Sequence, residues 1–186
     1  MKIWFTDPSR RNKNSVAVKI AQSLTLCGAM LALPEISDAR EGLLDQALEQ
    51  PVMRGEATFR FLGFPVYEAR LFTPEGQAFD WEKDFGLELT YLRRVSEDTI
   101  VSSTLGELER IGEDMPVEAQ LQKCFEPVNK GDTYLAVTEG ENRVTFWLNG
   151  SRTCTLTHPK AKFRFMSIFL GEDTRSASFT RRLRGE

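Results

Sequence analysis

Side chains able to do chemistry cluster in one short segment of the sequence, between Tyr91 and Asp98. The segment holds a phenol at Tyr91, a guanidinium at Arg94 and a carboxylate at Asp98. A few convergent polar groups of this kind orient a ligand in a cleft that is otherwise apolar. A phenol can also donate a proton, and a guanidinium can stabilise an oxyanion. The segment therefore indicates a site for a polar, conjugated or acidic small molecule.

The elements that must position this segment are a strand and a helix. Leu87, Leu89 and Tyr91 alternate with polar residues, which is the period of a half-buried strand. Ser96 is a favourable N-cap residue, and the two acidic residues after it suit the positive end of a helix dipole. We therefore predict a strand up to Tyr91 and a helix that follows Ser96 and ends near Gly112.

Hairpins account for most of the remaining predicted strands. Residues 57–72 alternate in polarity and bend at Gly63 and Pro65, which predicts two strands. The dipeptide Asn149-Gly150 is a strong hairpin signal. Further strands are predicted at residues 133–138, 144–148 and 151–157, and further helices at residues 116–125, 161–170 and 178–183. Hairpin strands with helices grouped between them indicate an α+β domain.

Composition narrows the class of protein. The length of 186 residues suits one domain, and an apolar share of 41% is too high for a disordered chain. The net charge of -3 does not favour nucleic acid as a partner. Thirteen Phe against three Tyr indicate a core or a cavity rich in apolar rings. His158 is the only histidine and is predicted to be a solvated turn residue, so we expect neither a metal nor a cofactor.

The first 39 residues differ from the rest. A basic opening, an apolar run at residues 24–33 and the small residues Ser37 and Ala39 are the parts of a secretory signal. The apolar run is shorter than the roughly 20 residues that span a bilayer. We predict an export signal at residues 1–39, cleavage after Ala39, and a periplasmic or secreted domain at residues 40–186. The alternatives are an amphipathic helix of the folded domain and an uncleaved anchor.

Two cysteines, Cys124 and Cys154, fall within the predicted mature domain. An oxidising compartment would allow them to pair. Their spacing along the chain does not decide whether they do. Because buried cysteine commonly behaves as a small apolar residue, we predict two independent buried thiols.

Four segments in order along the chain carry a family resemblance. They are Phe64-Pro-Val-Tyr67 with the strand up to Phe72, Tyr91-x-x-Arg94-Val95-x-Glu97-Asp98, Gly131-Asp132 with residues 145–150, and residues 165–174 with Leu183-Arg184-Gly185. The second resembles the Tyr-x-x-Lys-Val-x-Glu-Asn segment of chalcone isomerases. The others resemble that superfamily's Gly-Val-Tyr strand, its central hairpin and the C-terminal signature of its bacterial members. The resemblance covers roughly residues 55–185.

The resemblance implies an open-faced β-sandwich with a helical layer, and a ligand cleft between the large sheet and the helices. Plant members of the superfamily close a flavanone ring by adding a phenolate to an enone. Other members bind fatty acids or have no catalytic activity. Bacterial members often carry an export signal, which agrees with the pattern of residues 1–39.

The predicted site departs from the enzymes at Arg94, Asp98 and Leu62. Tyr91 matches the cleft tyrosine that helps to order water near the substrate carbonyl. Arg94 replaces a lysine, which keeps the charge but presents a planar fork suited to a carboxylate. Asp98 replaces an asparagine, so an amide donor is lost and an anion is gained. Leu62 stands where the enzymes have a threonine, and leucine forms no side-chain hydrogen bond.

The catalytic arginine of the enzymes has two candidates here, Arg54 and Arg60, and Arg60 is better placed on a predicted strand. We therefore predict ligand-binding residues Arg60, Tyr91, Arg94 and Asp98, with Tyr91 and Arg60 as the catalytic candidates. Structural alternatives remain for each of them. Tyr91 is equally consistent with a packed strand residue that faces inward. Arg94 and Asp98 are four residues apart and are equally consistent with an exposed ion pair on a helix. Arg60 is equally suited to a rim charge paired with the glutamate at position 68 or 88.

Three functions remain open on the sequence. The first is an exported, non-catalytic binder of a small apolar or amphipathic ligand of fatty-acid type. The second is an intramolecular lyase, an isomerase acting on an enone or chalcone-like substrate. The third is an envelope protein-interaction module that uses the basic tail of Arg181, Arg182 and Arg184. None of them requires nucleic acid or a membrane span in the mature chain, and the oligomeric state is left open.

Overall fold

The computed structural model describes residues 36–113 and 115–186. The predicted export signal lies outside the described residues except for residues 36–39, which begin a helix, Ile36–Ala47. That helix continues past the predicted cleavage position, and the cleavage itself stays a prediction. None of the helices within the described residues has the length and apolar character needed to cross a bilayer.

The described residues form six strands and five helices. The strands are β1 (Pro51–Phe61), β2 (Phe64–Pro74), β3 (Gly86–Tyr91), β4 (Thr133–Thr138), β5 (Arg143–Leu148) and β6 (Ser151–Thr157). The helices are α1 (Ile36–Ala47), α2 (Glu97–Arg110), α3 (Glu118–Cys124), α4 (Ala161–Leu170) and α5 (Ala177–Arg184). The predicted helices and strands are all present, with ends that differ by a few residues.

The six strands make one antiparallel sheet whose order in space is their order along the chain. One face packs against α2–α5 in the main core, which includes Leu87 and Phe146. The opposite face packs against α1, where Leu44 and Leu48 contact the buried side chain of Leu135. Because side chains alternate between the two faces of a strand, neighbouring strands bring whole rows of side chains onto the helical side.

Local signals in the sequence have the structural effects expected of them. Asn149 and Gly150 both have positive φ, 49° and 84°, as a tight hairpin turn between right-twisted strands requires. The side chain of Ser96 accepts a hydrogen bond from the Thr99 amide and caps α2. Glu97 and Asp98 lie in the first turn of α2, near the positive end of its dipole.

The prediction of two independent thiols is wrong, because Cys124 and Cys154 form a disulfide. Cys124 ends α3 and Cys154 lies on β6, opposite Phe146 of β5. The packing of α3 on the sheet brings the two Cα atoms to 4.9 Å, within the range that a disulfide spans. This proximity arises from tertiary packing, so the 30-residue separation along the chain gave no sign of it.

Candidate functional site

A cavity of about 680 Å³ lies between the sheet and helices α2, α4 and α5. This volume falls within the roughly 300–1,000 Å³ that small-molecule sites usually occupy. The sheet contributes residues from β1 to β5, and α2 with its N-cap contributes small and hydroxyl-bearing residues. These are the N-cap Ser96, and Thr99, Ser102, Ser103, Thr104 and Gly106 of α2.

Phenylalanine rings form most of the apolar wall. Seven of the 13 phenylalanines line the cavity, namely Phe59, Phe61, Phe125, Phe146, Phe165, Phe169 and Phe179. In the buried part, Phe146 packs edge-on against Phe125 and Phe165, each with ring centroids 5.4 Å apart. Edge-to-face packing is the preferred geometry of aromatic pairs and gives these walls a defined shape. The excess of Phe in the composition therefore serves both the core and the cavity.

Three tyrosines on adjacent strands supply hydroxyl groups on the sheet side of the cavity. Tyr67 of β2 lies opposite Tyr91 of β3 with ring centroids 6.0 Å apart, and Tyr134 of β4 follows at 6.3 Å from Tyr91. The Tyr134 hydroxyl accepts a 2.7 Å hydrogen bond from the Glu126 amide. The hydroxyls of Tyr67 and Tyr91 have no hydrogen-bond partner among residues 36–113 and 115–186. They are therefore free to bind a polar group of a ligand.

These phenols stay protonated in the physiological range. Burial raises the pKa of the Tyr67 and Tyr91 phenols well above the ordinary value of 10.0. Repulsion between ionised forms raises these values further, from Tyr91 and Glu107 for the pKa of Tyr67 and from Tyr134 for the pKa of Tyr91. Burial also raises the pKa of Tyr134 to about 12, although the hydrogen bond from Glu126 acts in the opposite direction. The three tyrosines are therefore suited to donate hydrogen bonds and unsuited to act as phenolate bases.

A testable consequence concerns alkaline pH, because these are all three tyrosines of the chain. The unfolded chain releases its phenol protons near pH 10.0, whereas the folded protein holds them to higher pH. The stability that Tyr134 contributes in this way is complete below pH 10 and is lost as the pH rises through its folded pKa of about 12, and the contributions of Tyr67 and Tyr91 persist to higher pH. We expect ultraviolet absorbance of phenolate to appear only together with alkaline unfolding, followed by circular dichroism. A phenolate signal near pH 10 in protein that remains folded would contradict this.

Cationic side chains lie at the exposed edge of the cavity. Arg93 and Arg94 lie just beyond the end of β3, after Leu92, line the cavity and are exposed. Within the described part of the chain, neither has an acidic or hydrogen-bonding partner. Arg175, which precedes α5, also lines the cavity but forms an ion pair with Glu107 of α2. Glu107 binds Arg110 as well, at 2.8 Å. Arg93 and Arg94 are therefore the arginines of the cavity edge that have no described acidic partner.

The structure separates the four predicted site residues into two pairs. Tyr91 and Arg94 line the cavity, whereas Arg60 and Asp98 do not. Asp98 is exposed on the first turn of α2. The suggested helix pair between Arg94 and Asp98 is not found among the described ion pairs, because Arg94 precedes the helix. The ligand-binding role of all four remains a prediction.

Arg60 is exposed near the end of β1, where its guanidinium donates a hydrogen bond to the Gly63 carbonyl at 3.3 Å. It makes no ion pair with the glutamate at position 68 or 88 in the described structure. Glu88 is buried and pairs instead with Arg70, with 3.6 Å between Nη1 and Oε1. The other candidate, Arg54, donates to the carbonyls of Arg184 and Gly185 and so holds the C-terminus. Neither arginine candidate reaches the cavity.

Sequence reasoning missed several cavity residues. Tyr67 belongs to the segment that resembles the Gly-Val-Tyr strand but is not among the predicted site residues, although the pairing of β2 with β3 places it opposite Tyr91. Arg93 is adjacent to Arg94 and shares its exposure. Arg175 and Glu107 come from distant parts of the chain and carry no local signal. No group of three or more His, Cys, Asp or Glu residues in the described part of the chain could hold a metal ion.

Other predicted roles change with the structure. His158 does lie at the turn after β6, but it is only partly exposed, and its Nδ1 lies 3.2 Å from the guanidinium of Arg164. In the basic tail, Arg184 bonds to the Leu170 carbonyl and pairs with Glu172 at 3.1 Å. Arg184 therefore anchors α5 to the end of α4 and is not a freely exposed charge.

Comparison with known proteins supports the fold. No protein-family model matches the chain, and no curated protein matches its sequence. The crystal structure of a fatty-acid binding protein from Arabidopsis thaliana is similar, with a TM-score of 0.55 and 9% sequence identity. The match covers 75% of this chain and 90% of that protein. The α+β architecture is thus the chalcone isomerase-like fold, an open antiparallel sheet with a helical layer, as the sequence resemblance implied.

Proposed function

We propose that this protein binds a single-chain amphipathic carboxylate of fatty-acid type in the cavity and catalyses no reaction on it. The observation that carries the proposal is the combination of an aromatic cavity of about 680 Å³ with two unpaired arginines at its exposed edge. The similar Arabidopsis structure is that of a fatty-acid binding protein, which agrees with this choice of ligand.

The apolar wall accounts for the acyl chain. Removing a methylene group from water contributes about 0.8 kcal/mol. A chain of several methylenes along Phe59, Phe146 and Phe165 would therefore supply most of the affinity. Rings held by edge-to-face contacts lose little freedom when the ligand enters, which keeps the entropic cost of binding low.

The polar groups account for the carboxylate. Arg93 and Arg94 carry positive charge without a described acidic partner, and a guanidinium offers a fork that matches two carboxylate oxygens. The protonated phenols of Tyr67 and Tyr91 can donate hydrogen bonds to a carboxylate, and they carry no negative charge that would repel it. A carboxylate is therefore favoured over a neutral or cationic head group.

The arginines provide a direct test with the double substitution Arg93→Gln and Arg94→Gln. Hydrogen bonds to charged groups contribute about 1.5–3 kcal/mol, and about 1.4 kcal/mol is a factor of ten. We expect affinity for a long-chain carboxylate to fall tenfold or more, while affinity for the primary alcohol of the same length stays unchanged. Isothermal titration calorimetry with both ligands measures the difference.

The matched control is Arg181→Gln with Arg182→Gln. These two arginines are exposed on α5 and do not line the cavity. The control removes the same charge from the same protein and is expected to leave both affinities unchanged. Equal losses for the acid and the alcohol, or equal losses in the two double variants, would count against a carboxylate at Arg93 and Arg94.

The enzymatic alternative has less support. Its two candidates do not meet, because Tyr91 lines the cavity and Arg60 bonds to the Gly63 carbonyl outside it. Leu62, which takes the position of the enzymes' threonine, is also exposed and does not line the cavity. Turnover of a chalcone by the purified protein, abolished by Tyr91→Phe, would restore this alternative.

Export to an oxidising compartment belongs to the same proposal. The Cys124–Cys154 disulfide is of the kind that persists in such compartments. Cleavage after Ala39 would keep Leu44 and Leu48, which cover one face of the sheet. Intact-mass measurement of the protein from a native source tests this, with a mature chain beginning at Arg40 expected. A chain that retains residues before Arg40 would place the cleavage elsewhere or remove it.

A further inference from the structure

The turn between β1 and β2 exposes three large apolar side chains. Phe61, Leu62 and Phe64, the apolar tip, have 51%, 82% and 67% of their surface accessible to solvent. Hairpin turns are normally built from Gly, Asn, Asp and Ser. Leu62 also has a positive φ of 50°, a conformation that leucine rarely adopts. A strained and exposed leucine between two exposed phenylalanines indicates a contact surface.

The apolar tip lies beside the exposed edge of the cavity. Phe61 itself lines the cavity together with Val66, Arg93 and Arg94. The Leu92 amide donates a 2.9 Å hydrogen bond to the Val66 carbonyl, so the segment that carries the two arginines runs along the hairpin near its turn. The tip, the arginines and the cavity edge therefore form one continuous surface.

The charges around the apolar tip are mainly positive. Arg60, Arg93 and Arg94 are exposed there and make no described ion pair. The acidic residues closest in the chain are the half-buried Glu68 of β2, and Glu97 and Asp98 in the first turn of α2. An apolar tip flanked by exposed arginines matches the chemistry of an anionic bilayer surface, with acyl chains beneath and phosphate groups above.

We propose that the apolar tip docks this protein on anionic lipid bilayers. Phe61, Leu62 and Phe64 enter the interfacial region, and the arginines remain at the level of the phosphate groups, where long cationic side chains reach the interface. A protein partner is less suited, because a stable protein interface buries about 1,200 Å² or more and three side chains on one turn offer far less. Docking in this orientation turns the cavity edge toward the lipid. Exchange of an acyl ligand with the bilayer follows only if the proposed function holds.

Vesicle co-sedimentation of the full chain tests docking without any added ligand. Phosphatidylcholine vesicles are compared with vesicles that also contain phosphatidylglycerol. The test variant is Leu62→Asn with Phe64→Ser, since asparagine tolerates positive φ and neither residue lines the cavity. The matched control is Val52→Ser with Met53→Ser, which removes two half-exposed apolar side chains from the start of β1, at the other end of the same hairpin.

We expect wild-type protein to bind the anionic vesicles, with salt weakening the interaction, and to bind the neutral vesicles poorly. The tip variant should bind about tenfold more weakly or worse, given the free energy of burying large apolar side chains, and the control should match wild type. Absence of wild-type binding, or equal losses in the two variants, would overturn the proposal.

A wild-type dimer in light scattering that the tip substitutions dissociate would instead assign the tip to self-association. Calorimetric affinity for a soluble carboxylate separates the two proposals, because the tip substitutions should leave it unchanged.

Discussion

Replacing Ala136 with phenylalanine should lower the affinity for long-chain carboxylates about 100-fold, while short-chain carboxylates bind as before. Ala136 lines the cavity from the middle of β4. Its neighbours on the sheet are Leu87 of β3 and Phe146 of β5. A ring at this position would occupy the space of about four methylenes, each contributing about 0.8 kcal/mol, and a loss of about 3 kcal/mol corresponds to a factor of more than 100.

A series of substitutions makes this result specific. Valine, leucine and phenylalanine at position 136 should shorten the longest accepted chain step by step, as measured by titration calorimetry across chain lengths. Short carboxylates serve as the internal control for folding and for the arginine contacts. An affinity loss that is the same for every chain length would show that the substitution disturbs the fold rather than the volume available to the chain.

Substitution of Gly55 by alanine should destabilise the protein by about 3 kcal/mol, near the upper end of the usual cost of overpacking. Gly55 lies on β1 directly beneath the end of α5. A Cβ atom there would contact the carbonyl oxygens of Arg182 and Leu183, the latter at 2.5 Å, and the Gly185 nitrogen at 2.9 Å. These are backbone atoms that cannot rotate away, so α5 would have to move as a unit. Because α5 carries Phe179 into the cavity, ligand affinity should fall as well.

Urea unfolding measures this effect, and Gly42→Ala is the control. Gly42 lies in α1, and a Cβ there would meet no atom within 4 Å. Alanine in place of glycine inside a helix is expected to stabilise by roughly 0.5–1 kcal/mol. Both substitutions add one methyl group. The free energy of unfolding is expected to fall for Gly55→Ala and to rise for Gly42→Ala. A small effect of Gly55→Ala would mean that the backbones of β1 and α5 leave room for a Cβ atom at position 55, contrary to the distances above.

Local sequence patterns predicted much of the fold. The alternation up to Tyr91, the cap at Ser96 and the turn at Asn149-Gly150 each depend on neighbours a few residues away. Such features form through local hydrogen bonds and strand periodicity, and the structure contains all three. The start of β1 was missed, because Pro51 and Gly55 are poor strand residues. Pro51 is tolerated as the first residue of an edge strand, and a register shift between Met53 and Gly55 accommodates the glycine.

The site was predicted only in part, since its composition depends on contacts between distant segments. Tyr91 and Arg94, which line the cavity, were predicted because they belong to one motif, and their binding role stays a prediction. Arg60 was assigned from its place on a predicted strand, but the side chain turns to the Gly63 carbonyl. The ion pair of Glu107 with Arg175 and the Cys124–Cys154 bond join segments far apart in sequence. No periodicity or spacing encodes such contacts.

The sequential strand order bears on how the chain folds. Every pairing within the sheet joins strands that are consecutive along the chain, and short turns let β1 pair with β2, and β4 with β5 and β6, at a small cost in loop entropy. The pairing of β3 with β4 must instead close residues 92–132, which carry α2 and α3. The contact of α5 with β1 is different, because Arg54 and Arg184 are separated by 130 residues. We expect this closure to form after the transition state, so that Gly55→Ala accelerates unfolding and leaves the folding rate nearly unchanged in stopped-flow experiments. A slower folding rate would instead show that the contact between α5 and β1 already forms in the transition state.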